Sequence, residues 1–124
     1  MRYSKQREEI LNAVRGVTTH PTAVDVLNLV KPKIPNISLG TVYRNLGVLT
    51  NENQLLSLDI NGILHYDGNV NDHQHFYCTQ CNELYDLFFG ISNYISSHKN
   101  EIEHKVNGAF LLLTGICNKC SNKE

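Results

Sequence analysis

The sequence predicts an α+β chain built from two small units. Three observations carry that prediction: three amphipathic helical segments confined to residues 1–51, a hairpin signal at Asn61-Gly62, and four cysteines paired as Cys78-Thr-Gln-Cys81 and Cys117-Asn-Lys-Cys120. From Ser4 to Arg15, the apolar residues Ile10, Leu11 and Val14 recur at helical spacing, and Gly16 is a natural stop. His20-Pro21 blocks helix, Thr22 can cap the next segment, and Val24, Leu27 and Val30 form the expected buried stripe of a helix over 23–31, ended by Pro32 and Pro35. Ser38 caps a third helix over 39–51, with Leu39, Val42, Leu46 and Leu49 inward and Thr41, Tyr43, Arg44 and Asn45 outward.

Leu55–Ile60 and Ile63–Asp67 flank Asn61-Gly62, a dipeptide that supplies the positive φ values of a two-residue hairpin turn. Three helices followed by a hairpin describe a winged helix-turn-helix. Gly68–Asp72 is polar and rich in breakers, so a domain boundary is expected there, giving units 1–68 and 69–124. In the second unit His73–Cys78, Glu83–Phe89 and Phe110–Ile116 read as strands, and Ile91–Val106 as a helix. The apolar faces of so small an α/β unit, such as Leu84/Phe88 and Leu111/Leu113, need covering, which a symmetric partner can supply.

The chain has 124 residues and a formal net charge of −1. The charge is uneven: residues 1–50 carry seven Lys/Arg (Arg2, Lys5, Arg7, Arg15, Lys31, Lys33, Arg44) against Glu8, Glu9 and Asp25, a net +4, which leaves −5 for the remainder. A basic first half suits phosphates. No apolar run approaches the roughly 20 residues that cross a bilayer, the longest being Ala109–Leu113, so no membrane association is expected. The segment Met1–Glu9 is too charged for a signal peptide, and a cytoplasmic location is expected.

All four cysteines fall in the two knuckles, separated by 35 residues. Each two-residue gap lets both sulfurs of a turn point at one ion, and four thiolates about 2.3 Å from a d¹⁰ cation form a closed Zn²⁺ site. The expected metal is structural zinc at Cys78, Cys81, Cys117 and Cys120. Disulfides or a thioredoxin-like redox pair are the alternatives, and reduced cytosolic thiols weigh against the first.

Asp72-His73-Gln74-His75 places two imidazoles on one face of a strand, with Cys78 on the other, so a second metal site separate from the thiolates is implied. Asp86, between Tyr85 and Leu87, is either solvent-facing or a ligand aimed across the strand pair. Asp67 is a ligand or a turn acid, and His20 a ligand or a loop residue. His65, His98 and His104 read as surface residues. An imidazole and carboxylate set suits Fe²⁺ or Mn²⁺ better than a closed zinc site. Neutral imidazoles are required, so affinity is expected to weaken as pH falls through about 6.5.

Taken together, Gln6-Arg7, His20-Pro-Thr-Ala23, Ser38-Leu-Gly-Thr-Val-Tyr-Arg-Asn-Leu46, Asp72-His-Gln-His75 and the two knuckles resemble, in this order, the ferric uptake regulator (Fur) superfamily over almost the whole chain. The resemblance implies a metal-responsive transcription factor: an N-terminal winged helix for DNA, a C-terminal α/β dimerisation domain, and a homodimer on a pseudo-palindromic operator of double-stranded DNA. Within the superfamily His20, Asp67, His73, His75 and Asp86 look like the regulatory ligand set of the peroxide-stress regulators (PerR). Iron sensors usually carry Glu where Asp86 falls, and often a histidine-bearing segment where this chain has Asn107-Gly-Ala109. The usual extra helix ahead of the first one is mostly missing.

The function implied is repression by a metal-bound dimer that senses hydrogen peroxide through iron-catalysed oxidation of a ligand histidine, His20 or His73. Phosphate contacts are expected from Arg7 and Arg15, and base or sugar contacts from Thr41, Tyr43, Arg44 and Asn45. One competing reading is an iron- or zinc-responsive repressor on the same scaffold. The other is a metalloenzyme at the His/Asp site, against which stands the absence of a Ser/His or paired-carboxylate arrangement. The chain is therefore expected not to be an enzyme and to take no small-molecule substrate other than peroxide.

Overall fold

A computed structural model describes residues 4–122; Arg2, counted above among the basic residues, lies outside them. The chain divides into two compact units, residues 1–70 and 71–124.

Unit 1 contains helices α1 (Lys5–Arg15), α2 (Ala23–Val30) and α3 (Leu39–Asn51), then strands β1 (Leu56–Ile60) and β2 (Ile63–Asp67). Each helix begins where a short oxygen-bearing side chain satisfies an orphan N–H. Ser4 Oγ accepts from Arg7 N, Thr22 and Asp25 form a reciprocal capping box, and Ser38 Oγ accepts from Thr41 N. The hairpin turns at Asn61 (φ 53°) and Gly62 (φ 86°), the left-handed pair expected of its sequence. The core joins Ile10, Val14, Val26, Val30, Val42, Leu46, Leu49, Leu55 and Tyr66.

Two sequence expectations are corrected here. The buried stripe of α2 is Ala23, Val26 and Val30, with Leu27 partly buried, while Val24 is 50% exposed. Asn45, expected outward on α3, is 7% exposed and lies on the inner face.

Unit 2 is a three-stranded sheet in the order β4-β3-β5, with β3 at Gln74–Cys78, β4 at Leu84–Leu87 and β5 at Leu112–Gly115. Strands β3 and β4 are antiparallel, pairing His75 with Asp86; β3 and β5 are parallel, pairing Cys78 with Gly115. A parallel pair needs a crossover. The expected helix over 91–106 is that crossover, but it is two short pieces, α4 (Ser92–Ser97) and α5 (Lys99–Ile102), ending at Glu103 in the left-handed region (φ 60°). No residue of either piece is buried, so nothing in the unit holds them as one rod. A last turn, α6 (Asn118–Ser121), lies within the second knuckle.

The buried cluster of unit 2 is Cys78, Cys117 and Cys120, with Phe76 and Tyr85 packed against it. A unit of this size with sulfur at its centre lacks the apolar burial that stabilises larger domains, and a metal is the usual remedy. Among the described residues no helix is long and apolar enough to cross a membrane.

Candidate metal centres

The parallel register that sets Cys78 beside Gly115 brings the second knuckle against the first. All four Sγ atoms lie within 4.8 Å of one another, with Cys78–Cys120 at 3.9 Å and Cys81–Cys117 at 3.8 Å. Disulfide sulfurs stand about 2.05 Å apart, so the pairing is not covalent. Four sulfurs about 2.3 Å from a central tetrahedral ion would stand about 3.8 Å from each other, which is the spacing found, so the cage fits an ion such as Zn²⁺.

The cage is electrostatically uneven. The backbone N–H of Cys81 donates to Cys78 Sγ at 3.4 Å and that of Cys117 at 3.3 Å. The Cys81 amide is the larger cause that lowers the Cys78 pKa to about 6; burial opposes it and the Cys117 amide adds to it. Cys117 is lowered chiefly by the Tyr85 hydroxyl, and Tyr85 is raised in turn by Cys117. Cys120 is pushed up to about 12 by burial. For Cys81 the Glu83 backbone lowers the value, but burial and the neighbouring thiols outweigh it and the net direction is up. Backbone amides stabilise a thiolate before any ion arrives, as a metal knuckle requires.

A second set of side chains is imidazole and carboxylate. In unit 2, His73 and His75 are both buried, their rings 4.6 Å apart, and Nε2 of each faces the same oxygen, Asp86 Oδ1, at 3.1 and 3.3 Å. Asp86 is thus turned toward the histidines. His73 Nδ1 lies 2.7 Å from the carbonyl of Asn71, which can only accept, so Nδ1 carries the proton and Nε2 presents its other position toward the carboxylate. A neutral His73 would then aim a lone pair at a carboxylate lone pair, an arrangement that a cation between them relieves. Ligands about 2.1 Å from an ion stand about 3 Å from their neighbours, close to the distances seen.

In unit 1 the same chemistry recurs. His20 and Asp67 are buried, and His20 Nε2 is 3.4 Å from Asp67 Oδ2. Asp67 Oδ1 accepts from Asn69 N at 2.9 Å, which fixes the carboxylate. His20 has φ 56°, far from the extended conformation favoured ahead of proline. Its carbonyl is 2.8 Å from His65 Nδ1, so His65, expected at the surface, is half-buried and engaged. Sequence reading misses this contact because a bond to a backbone carbonyl leaves no pattern in residue types.

The exposed face of α3 presents Tyr43 and Arg44, with Arg44 Nη2 donating to Thr41 Oγ1 at 3.1 Å. Arg15 is exposed and bonded to Gln54 Oε1 at 2.9 Å. Asn45 is spent internally: it accepts from Arg7 Nε at 3.1 Å and donates to the Thr41 carbonyl at 2.9 Å.

The sequence profile described as the ferric uptake regulator family matches residues 1–111. The chain belongs to the ferric uptake regulator family. It is 30% identical over 126 residues to the peroxide operon regulator of Bacillus subtilis (strain 168), an alignment spanning 100% of this chain and 87% of that protein. Its fold superposes on the Helicobacter pylori ferric uptake regulator Fur, whose structure is described as having three functional metal binding sites, with a TM-score of 0.84 at 24% identity, covering 100% of this chain and 85% of that one. The Campylobacter jejuni peroxide stress regulator gives a TM-score of 0.78 at 26% identity, covering 93% and 88%. This Fur-family chain is a metal-dependent transcriptional regulator, not an enzyme.

Proposed function

We propose that this Fur-family chain is a peroxide-responsive repressor: a homodimer whose winged helix-turn-helix units bind operator DNA when a regulatory ion is held by His20, Asp67, His73, His75 and Asp86. The observation that carries this reading is the nitrogen and oxygen donor set, in which buried imidazole Nε2 atoms face the oxygens of Asp67 and Asp86. Such donors suit Fe²⁺ or Mn²⁺, whereas the four thiolates suit Zn²⁺ as a structural clip. Asp rather than Glu at position 86 and the 30% identity to a peroxide operon regulator support the peroxide branch.

His20 and Asp67 belong to the helical unit, and His73, His75 and Asp86 to the sheet unit. One ion taking ligands from both acts as a latch, and a hundredfold preference for the latched arrangement is worth about 2.7 kcal/mol. The dimer would cover the apolar surface that unit 2 leaves exposed at Phe88 (77%), Phe110, Leu113 and Ile116. Two α3 helices about 34 Å apart would then meet successive major grooves.

Ferrous iron, if held by these residues, would activate peroxide as a catalyst with no net loss of electrons, so both oxidising equivalents of H₂O₂ would fall on the protein. The protein supplies the target: an imidazole C–H of His20 or His73 becomes C–OH, tautomerising to the 2-oxo form, as H₂O₂ is converted to H₂O. The oxidised ring is a poorer ligand, the latch opens, and the operator is released.

The test is operator binding with Fe²⁺, Mn²⁺ and Zn²⁺, each with and without H₂O₂, followed by mass spectrometry. Release with iron and peroxide, one oxygen added to His20 or His73, and no release with manganese are expected. Repression that follows metal supply with no oxidised histidine would make the chain an iron- or zinc-responsive regulator instead.

A further inference from the structure

His65 is a histidine for which the regulatory reading has no use, yet it is tied to the backbone that presents His20. Its Nδ1 lies 2.8 Å from the His20 carbonyl, and because a carbonyl only accepts, Nδ1–H is the donor. The neighbouring backbone is tied at two further points: Tyr66 N donates to the Pro21 carbonyl at 2.8 Å, and Thr22 forms an isolated antiparallel bridge with His65. Residues 20–22 are therefore clasped to strand β2, whose last residue is Asp67. At the centre of this clasp His20 holds φ 56°, a left-handed conformation that a residue before proline does not adopt unaided. Conformations of that kind persist where surrounding structure over-determines them.

We propose that His65 is a positioning residue for the regulatory site: its Nδ1–H holds the His20 carbonyl, and with it the left-handed turn that keeps the His20 imidazole facing Asp67. This rests on the reading of His20 and Asp67 as ligands. The contact His65 makes is with the His20 carbonyl, so it acts through backbone. The neighbouring side chains Leu64 and Ile63 are exposed, whereas His65 is half-buried and its side chain joins the hairpin to the ligand loop beside the Tyr66 backbone contact. Groups that orient metal ligands typically change affinity 10–100-fold when removed.

The test uses the full zinc-loaded chain with Mn²⁺ as the probe, bound metal being read by electron paramagnetic resonance. His65→Phe keeps a ring of similar size and removes the donor; His65→Asn places an amide N–H near the position of Nδ1. His20→Ala reports on the parent reading. Mn²⁺ affinity is expected to fall roughly tenfold in His65→Phe and to recover to within about threefold in His65→Asn, with zinc content and the thermal transition of the His65→Asn protein unchanged. If His20→Ala weakens Mn²⁺ binding while His65→Phe leaves it unchanged, the positioning role is overturned and the ligand reading stands. If His65→Asn is as weak as His65→Phe, the hydrogen bond is not the operative contact and the proposal fails. If His20→Ala binds Mn²⁺ as the parent does, the ligand reading falls and takes the role of His65 with it.

Discussion

Arg7 Nε donates to Asn45 Oδ1 at 3.1 Å, joining α1 to α3 across 38 positions of sequence, and Asn45 Nδ2 passes the connection on to the Thr41 carbonyl. Asn45 is therefore an internal strut on the helix that presents Tyr43 and Arg44. Asn45→Ala should destabilise the folded chain by about 1–2 kcal/mol, because it removes the part-buried acceptor of Arg7 Nε and the donor to the Thr41 carbonyl. Urea or thermal denaturation checks this. An unchanged midpoint would mean the strut carries no load.

Arg44 is exposed and held over α3 by Thr41 Oγ1. Arg44→Ala should leave stability within about 0.5 kcal/mol, as surface changes usually do, while weakening operator binding by about 1–3 kcal/mol if it pairs with guanine. Equal loss on operator and random DNA would mark Arg44 as a phosphate contact.

How legible this chain is depends on whether a feature leaves a local trace. The caps Ser4, Thr22 and Ser38 and the Asn61-Gly62 turn act through their own neighbours, so the three helices and the hairpin follow from sequence to within a residue or two. The inner face of α2 does not, because Val24 and Val26 are equal in apolarity and only the packing partners choose between them. Asn45 and His65 fail for a different reason: each is polar, each reads as outward, and each is drawn inward by a partner far away in sequence, Arg7 or the His20 carbonyl. The four cysteines were legible because spacing alone constrains their sulfurs. The break between α4 and α5 was not, because polarity permits a helix over 91–106 while nothing buried enforces one.

The unevenness of the thiolate cage has a signature in proton release. Cys78, lowered to about 6, favours its ionised form in the folded chain, so its contribution to metal-free stability is present above the unfolded value and is lost as pH falls through about 6. Cys120, raised to about 12, works in the other sense: its contribution is present below the unfolded value and is lost as pH rises toward about 12. At pH 7.5 Cys78 has already shed its proton while Cys81 and Cys120 keep theirs, so zinc uptake should release about two to three protons, not four. Calorimetry in buffers of different ionisation enthalpy counts them. Four protons per ion would make Cys78 an ordinary thiol.

Tyr85 Oη is buried with no hydrogen-bond partner among the described residues, and it is the group that chiefly lowers the Cys117 pKa. With zinc in the cage, a hydroxyl that turned to donate to this sulfur would draw charge from the thiolate and slow its reaction with oxidants. Tyr85→Phe keeps the ring that packs with Phe76 and removes the hydroxyl. It should release zinc to H₂O₂ roughly tenfold faster, followed with a chromogenic chelator, at unchanged thermal stability. Equal release rates would show that the hydroxyl does nothing for Cys117.

Asp86 Oδ1 stands 3.1 Å from His73 Nε2 and 3.3 Å from His75 Nε2, a separation already as small as a shared ion permits. Asp86→Glu adds one methylene on a strand whose register with His75 is fixed, so the carboxylate must overshoot or fold back to reach the same point. Either way the donors remain nitrogen and oxygen, and Mn²⁺ affinity should stay within about tenfold of the parent, while the altered geometry lowers reactivity toward peroxide. The expected outcome is a variant that still binds operator with Fe²⁺ yet holds on after H₂O₂, with little oxygen added to His20 or His73. A variant that oxidises as fast as the parent would show that the length of this one side chain does not set peroxide sensitivity, and the argument for the peroxide branch from position 86 would be lost.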